Sequence, residues 1–154
     1  MTKSMNDKVV LGFFLVAVVG IGALIGLLIQ PGEWYASLTK PSFNPPNRVF
    51  GPAWTTLYIL IAIAGWRTWR DEGFSGPHMN IWYGQMVLNW LWTPVFFGLH
   101  AMALGLAIIL GMLAMILYFI IRTRDLVARL CFIPYAAWVA FASTLNASLL
   151  LLNS

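Results

Sequence analysis

Runs of about twenty apolar positions, separated by short polar or proline-rich stretches, recur along this chain. Val9–Ile29 is apolar without a break. As a helix it is about 32 Å long, close to the thickness of a bilayer's hydrocarbon core. Four further runs follow, over Phe50–Trp66, Met79–Gly98, Met102–Ile121 and Leu130–Leu152. The pattern predicts an all-α membrane protein, one domain over residues 1–154 with five transmembrane helices. Arg67 and Arg70 end the second run, and Asp71–His78 is a polar connector. Arg122, Arg124, Asp125 and Arg129 form the loop before the fifth. Pro52 and Pro134 fall near the starts of the second and fifth spans, where proline is accepted. Gly22 and Gly26 make a G-x-x-x-G that lets another helix approach closely, a candidate dimer seam.

The stretch Trp34–Tyr58 breaks the pattern. It carries Trp34, Tyr35, Phe43, Phe50, Trp54 and Tyr58 among Pro41, Pro45, Pro46 and Pro52. Proline fixes φ and has no N–H, so Lys40–Pro46 cannot be an ordinary helix. Such backbone is not tolerated against lipid. A long structured first loop acting as a lid over a cavity is expected.

Composition agrees with the membrane reading. The chain is 60% hydrophobic and only 9% charged, against about 25% charged in soluble domains. The nine basic residues are scattered, without the stripe that follows a phosphate backbone, so nucleic acid is not an expected partner. Five spans put Lys3, Lys8, Arg67, Arg70, Arg122, Arg124 and Arg129 on one face and Lys40 and Arg48 on the other. The positive-inside rule then places the N-terminus in the cytoplasm and the lid outside, as in a bacterial inner membrane. The single Cys131 reads as a small buried or lipid-facing hydrophobe.

Candidate chemistry lies on helix faces. Gln85, Asn89, Trp92 and Phe96 share one face of the third span, and Tyr135, Trp138, Ala142 and Leu145 one face of the fifth. Trp54, Tyr58 and Ile61 align likewise in the second. Amides in mid-membrane point inward, as ligand contacts or as glue between helices. Small Ala142 beside Trp138 leaves room for a ligand. The set suits a flat apolar molecule with a few polar edges, such as a porphyrin, with a sterol as the alternative. Lys40 and Arg48 are candidates to pair with its carboxylates. No carboxylate lies inside a span, and no metal site or catalytic triad can be drawn. His100 reads as ending an interfacial turn, with axial ligation of a haem as the alternative. The missing intramembrane acid counts against proton-coupled transport.

The motifs also carry a resemblance. W-Y-x-x-L-x-K-P at Trp34–Pro41, N-P-P at Asn44–Pro46, W-x-x-L-Y at Trp54–Tyr58, G-Q-x-x-L-N-W-x-W-x-P-x-F-F-G at Gly84–Gly98 and P-Y-x-x-W-x-A-F-A-x-T-L-N at Pro134–Asn146 resemble the TspO/MBR family of tryptophan-rich sensory and translocator proteins. The resemblance implies a five-helix bundle, usually a homodimer, whose pocket opens beneath the first loop and binds porphyrins such as protoporphyrin IX. No cofactor is required; porphyrin is the ligand. It implies a pocket lined by Tyr35, Pro45, Trp54, Asn89, Trp92, Trp138, Ala142 and Leu145. It implies sensing, sequestration or transport of tetrapyrroles; the preference for binding over enzymology comes from the residues, which offer a pocket but no acid–base pair and no coupling-ion site. Trp54 and Trp138 are the catalytic candidates should light-dependent porphyrin breakdown occur. The chain departs from animal members at Ala147, where their cholesterol motif has tyrosine, and no basic residue follows. That puts sterol recognition by this motif in doubt and favours a bacterial source.

Overall fold

A computed structural model describes residues 2–154, with side chains from Asn6 onward, so the side chain of Lys3 lies outside the described residues. Six α-helices follow in order: α1 (Thr2–Leu28), α2 (Gly32–Ser37), α3 (Asn47–Glu72), α4 (Pro77–Thr93), α5 (Met102–Arg122) and α6 (Leu126–Leu152). There is no strand among the described residues. Four helices are long and apolar enough to cross a membrane: Asn6–Leu28 within α1, α3, α5 and α6. The fifth expected span, α4, has 17 residues before its backbone widens into a π-helical turn at Pro94–Gly98. Proline at 94 removes an N–H donor from the ladder. The Leu99 N–H then bonds to the Pro94 carbonyl, five residues back, at 2.9 Å, and His100 follows at φ 56°.

Several boundaries differ from the hydropathy reading. The short helix α2 lies inside the region read as loop. The helix α3 begins at Asn47 and runs to Glu72, so Pro52 sits in its second turn and Arg67 and Arg70 are helical. The helix α6 begins at Leu126 because Asp125 caps it, accepting from the Ala128 N–H at 2.8 Å. A capping carboxylate satisfies an otherwise orphaned donor. Arg129 therefore belongs to the first turns of α6, and Pro134 lies in its interior.

The helix α3 packs on α1 and α6, α6 on α5, and α5 on α4, which closes back onto α3 and α1. The core between them holds Phe14, Ile61, Trp82, Ile116, Phe132 and Val139, all buried. Gly65 makes the closest approach possible: a side chain there would meet the rings of Trp82 and Phe14. Trp82 is held against α3 by its indole N–H, which donates to the Ile61 carbonyl at 3.0 Å.

Polar groups tie the helix ends. At one end Arg67 donates twice to Asp125 at 2.8 and 3.1 Å, Arg70 pairs with Asp7 at 3.3 Å, and His78 stands between Glu72 and the Arg122 carbonyl. Burial opposes ionisation of Asp125, but the Arg67 guanidinium and the Ala128 N–H outweigh it and hold the carboxyl below its usual range. At the other end the segment 29–46 lies across the helices. Tyr35 is buried, and Trp34 stacks on His100 with ring centroids 4.1 Å apart. The Asn153 amide grips the Thr39 backbone on both sides: its oxygen accepts the N–H and its NH2 donates to the carbonyl, each at 2.9 Å. Asn153→Asp keeps the acceptor and loses the donor. It is expected to raise chymotryptic cleavage after exposed Phe43 roughly three- to tenfold, the worth of one such bond. An unchanged rate would show that this clasp does not restrain the segment.

Candidate functional site

A cavity of about 600 Å³ lies between α1, α3, α4 and α6, beneath α2. Among the described residues, no Asp, Glu, Lys, Arg or His lines it. Nine residues singled out in the sequence come together there: Tyr35, Trp54, Tyr58, Asn89, Trp92, Phe96, Trp138, Ala142 and Leu145. The widened turn after α4 brings two adjacent aromatics, Phe96 and Phe97, to the same wall.

Other expected residues stand elsewhere. Pro45 is half-buried next to the lining residue Asn44 and does not itself line the cavity. Gln85 and Tyr135 are fully buried behind the wall, in the core. Helical spacing gave their face correctly, but face alone does not give depth. Lys40 is not at the cavity either. Its ammonium donates to the carbonyls of Tyr35 at 2.8 Å and Leu38 at 3.3 Å and lies over the Tyr35 ring. A cation at a helix C-terminus satisfies carbonyls that have no partner in the helix. Arg48 is exposed, next to Asn47 on the cavity rim.

Sequence reasoning missed α1, which contributes Val19, Gly22, Ala23, Gly26 and Leu27. The G-x-x-x-G is the available signal: within this chain Gly22 makes room for the Tyr58 ring, and Gly26 presents bare backbone to the cavity. Phe50, Thr55 and Asn146 were also unforeseen as lining.

The aromatic wall is edge-packed. Trp54 and Trp138 meet with planes at 88° and centroids 6.4 Å apart. Phe50 meets Trp138 similarly at 5.9 Å, a favoured arrangement for ring quadrupoles. The Trp138 indole N–H is buried without an acceptor, and a buried unpaired donor is costly. Tyr35 donates to Asn44 at 3.3 Å. Burial pushes its phenol above the ordinary value against that bond, so it stays a neutral donor at physiological pH.

The polar wall is a chain of hydrogen bonds. Tyr58 donates to the Asn89 carbonyl at 3.4 Å. Asn89 donates to the Tyr135 hydroxyl at 2.6 Å, which donates to Gln85 at 2.7 Å. The Gln85 NH2 ends the chain on the Trp82 carbonyl at 2.9 Å. Asn146 is spent separately: it accepts from the Trp92 indole at 3.0 Å and donates to the Met102 carbonyl at 3.0 Å. Apolar and aromatic walls with a few fixed polar groups are the usual make-up of a small-molecule site, and the volume falls in the usual range.

A second cleft, of about 510 Å³, opens at the opposite end. Asp71, Glu72, His78, Arg122 and Arg124 line it. Glu72 also caps α4, accepting from the Met79 N–H at 2.6 Å. Here the charged groups serve the joint between α3, α4 and α5.

Comparison with known proteins places these features in context. The model of the TspO/MBR family matches residues 13–152. A tryptophan-rich sensory protein from Cereibacter sphaeroides is 39% identical over 155 residues, 97% of this chain and 95% of that protein. A tryptophan-rich protein TspO from Archaeoglobus fulgidus is 36% identical, over 96% of this chain and 97% of its own. The human translocator protein is 37% identical over 136 residues, 82% of this chain and 80% of that protein.

Proposed function

Because the chain belongs to the TspO/MBR family and is an integral multi-pass membrane protein, we propose that it binds porphyrins in the cavity beneath α2. Protoporphyrin IX is the leading ligand, and the role is sensing, sequestration or transport of tetrapyrroles. The observation that carries this reading is the uncharged, aromatic-walled cavity between α1, α3, α4 and α6. A macrocycle offers a broad π-face to Trp54, Trp138 and Phe96, and Asn89 and Tyr58 offer polar contacts at one side. The propionates stay at the mouth, because burying unpaired carboxylates is expensive. Arg48, exposed and adjacent in sequence to the lining residue Asn47, is the candidate cation for them; Lys40 is engaged by the carbonyls of α2.

The finer architecture belongs to the same reading. The helix α4 with its π turn, 17 plus 5 residues, is about 33 Å long and serves as a fifth span. The segment 29–46 serves as the lid. The basic residues Lys8, Arg67, Arg70, Arg122, Arg124 and Arg129 favour a cytoplasmic location for their end of the bundle. Homodimerisation rests on the family resemblance.

Titration of the detergent-purified protein with protoporphyrin IX, followed by tryptophan fluorescence, tests the proposal. Saturable quenching is expected. Asn89→Ala should weaken it, and Ala142→Thr should weaken it by roughly tenfold, since overfilling a packed site costs about 1–3 kcal/mol. Quenching that never saturates and is the same in all three proteins would mean that porphyrin only partitions into micelles.

The edge-on pairing of Trp54 with Trp138 at the cavity favours a second reading, light-dependent breakdown of bound porphyrin. Illumination should then give a spectrally distinct product over many turnovers. Trp138→Phe should abolish that product while binding persists.

A further inference from the structure

The hydrogen-bond chain behind the cavity has a direction, and a backbone carbonyl sets it. The Trp82 oxygen can only accept, so Gln85 must turn its NH2 towards it. The Gln85 oxygen then faces Tyr135 and takes the hydroxyl hydrogen at 2.7 Å. The Met112 sulfur, at 3.4 Å, is the weaker competitor. With its hydrogen committed, the Tyr135 oxygen accepts, and Asn89 meets it with its NH2 at 2.6 Å. The Asn89 carbonyl is thereby turned the other way, towards Tyr58, and both residues line the cavity. Reversing any one amide would set acceptor against acceptor.

We infer that Gln85 and Tyr135 are positioning residues that hold the Asn89 carbonyl as an acceptor on the cavity wall, so that this wall selects a ligand edge bearing an N–H or O–H donor. The inference rests on the cavity being the ligand site proposed above. Two further features support it. The Tyr58 hydroxyl reaches the Asn89 carbonyl only at 3.4 Å, a long bond that a ligand donor can replace or share. Asn89 is otherwise buried, so an acceptor facing a purely apolar ligand edge would be left without its water. Neither Gln85 nor Tyr135 lines the cavity; their effect on a ligand passes through the orientation of Asn89.

Carbazole and 9-fluorenone test this. They are flat tricyclic molecules of near-identical outline, one with an N–H where the other has a carbonyl. Affinities for both are measured by calorimetry in detergent, against empty micelles, and the readout is their ratio. The wild type is expected to bind carbazole the more tightly. Tyr58→Phe removes the internal donor and should raise the preference roughly threefold. Tyr135→Phe and Gln85→Leu free the Asn89 amide to turn and should lower it roughly three- to tenfold. A loss of stability alone weakens both ligands alike and leaves the ratio unmoved. Should Tyr135→Phe fail to fold, Gln85→Leu still reads the positioning role, and Tyr58→Phe at the cavity wall reads whether the Asn89 carbonyl is the acceptor. Saturable binding of both probes with a ratio unchanged by these substitutions would overturn the inference and leave the ligand site standing. Saturable binding of neither would overturn both.

Discussion

Gly65→Ala is expected to lower stability by about 2–3 kcal/mol, at the upper end of what one added methyl group costs in a tight core. A β-carbon at this position meets the five- and six-membered rings of Trp82 and the edge of Phe14. Neither neighbour can yield cheaply. The Trp82 ring is pinned by its bond to the Ile61 carbonyl and packs edge-on against Phe14 at 5.4 Å. Separating α3 from α4 would also disturb Tyr58 and Asn89, which these helices carry to the cavity. The control is the same change at Gly12 and Gly20 on α1, where a β-carbon meets nothing within 4 Å. There alanine should be neutral or stabilising by about 0.5–1 kcal/mol, through helix propensity alone. Thermal unfolding in detergent, with all three variants side by side, reads the difference. Similar shifts at Gly65 and Gly20 would mean that the α3–α4 contact is looser than described.

Asp125→Ala should cost about 2–3 kcal/mol. One part, about 1 kcal/mol, is the N-cap of α6. The rest is the two-point contact with Arg67, moderated because Arg67 is partly open to solvent. Asp125→Asn keeps a capping oxygen and loses the charge, so it should cost less than half as much. The ion pair also predicts an acid limb. The folded carboxyl is held below its ordinary value, so its contribution is complete above the unfolded value of about 3.9. It is lost as pH falls through the lower folded value. Melting temperatures in the wild type should fall more steeply below about pH 4 than in Asp125→Asn. Parallel curves would show that Asp125 and Arg67 are not coupled in this way.

Hydropathy made the long helices legible because lipid imposes a single requirement over twenty positions in succession. Val9–Ile29 satisfies it without exception. Short elements answer to local partners instead. Nothing periodic in Gly32–Ser37 announces a helix; it is fixed by Trp34 against His100 and Phe96 and by Lys40 on its last carbonyls. The end of α3 and the start of α6 differ from the hydropathy reading for a related reason. Charged Arg67 and Arg129 read as loop by polarity, yet Asp125 and the carbonyls of Ile120 and Thr123 hold them within helices. In the site, aromatic and amide side chains announce a face. A glycine pair announces a close approach but not what approaches, so Gly22 and Gly26 do not by themselves reveal that α1 lines the cavity. Distance from the cavity was equally invisible: Asn89 and Gln85 lie one turn apart on one stripe, and only the first reaches the wall.

The π turn at Pro94–Gly98 is, in chain-length terms, a helix carrying one supernumerary residue. Deleting Val95 would let the segment wind as ordinary α-helix and would rotate everything before it by about a quarter turn relative to everything after. Trp92, before the turn, would lose its present register with Phe96 and Phe97, after it. The size and shape of the cavity's aromatic side are thus set by a count of residues as much as by their identity. An insertion or deletion here would remodel the site without altering any side chain that lines it.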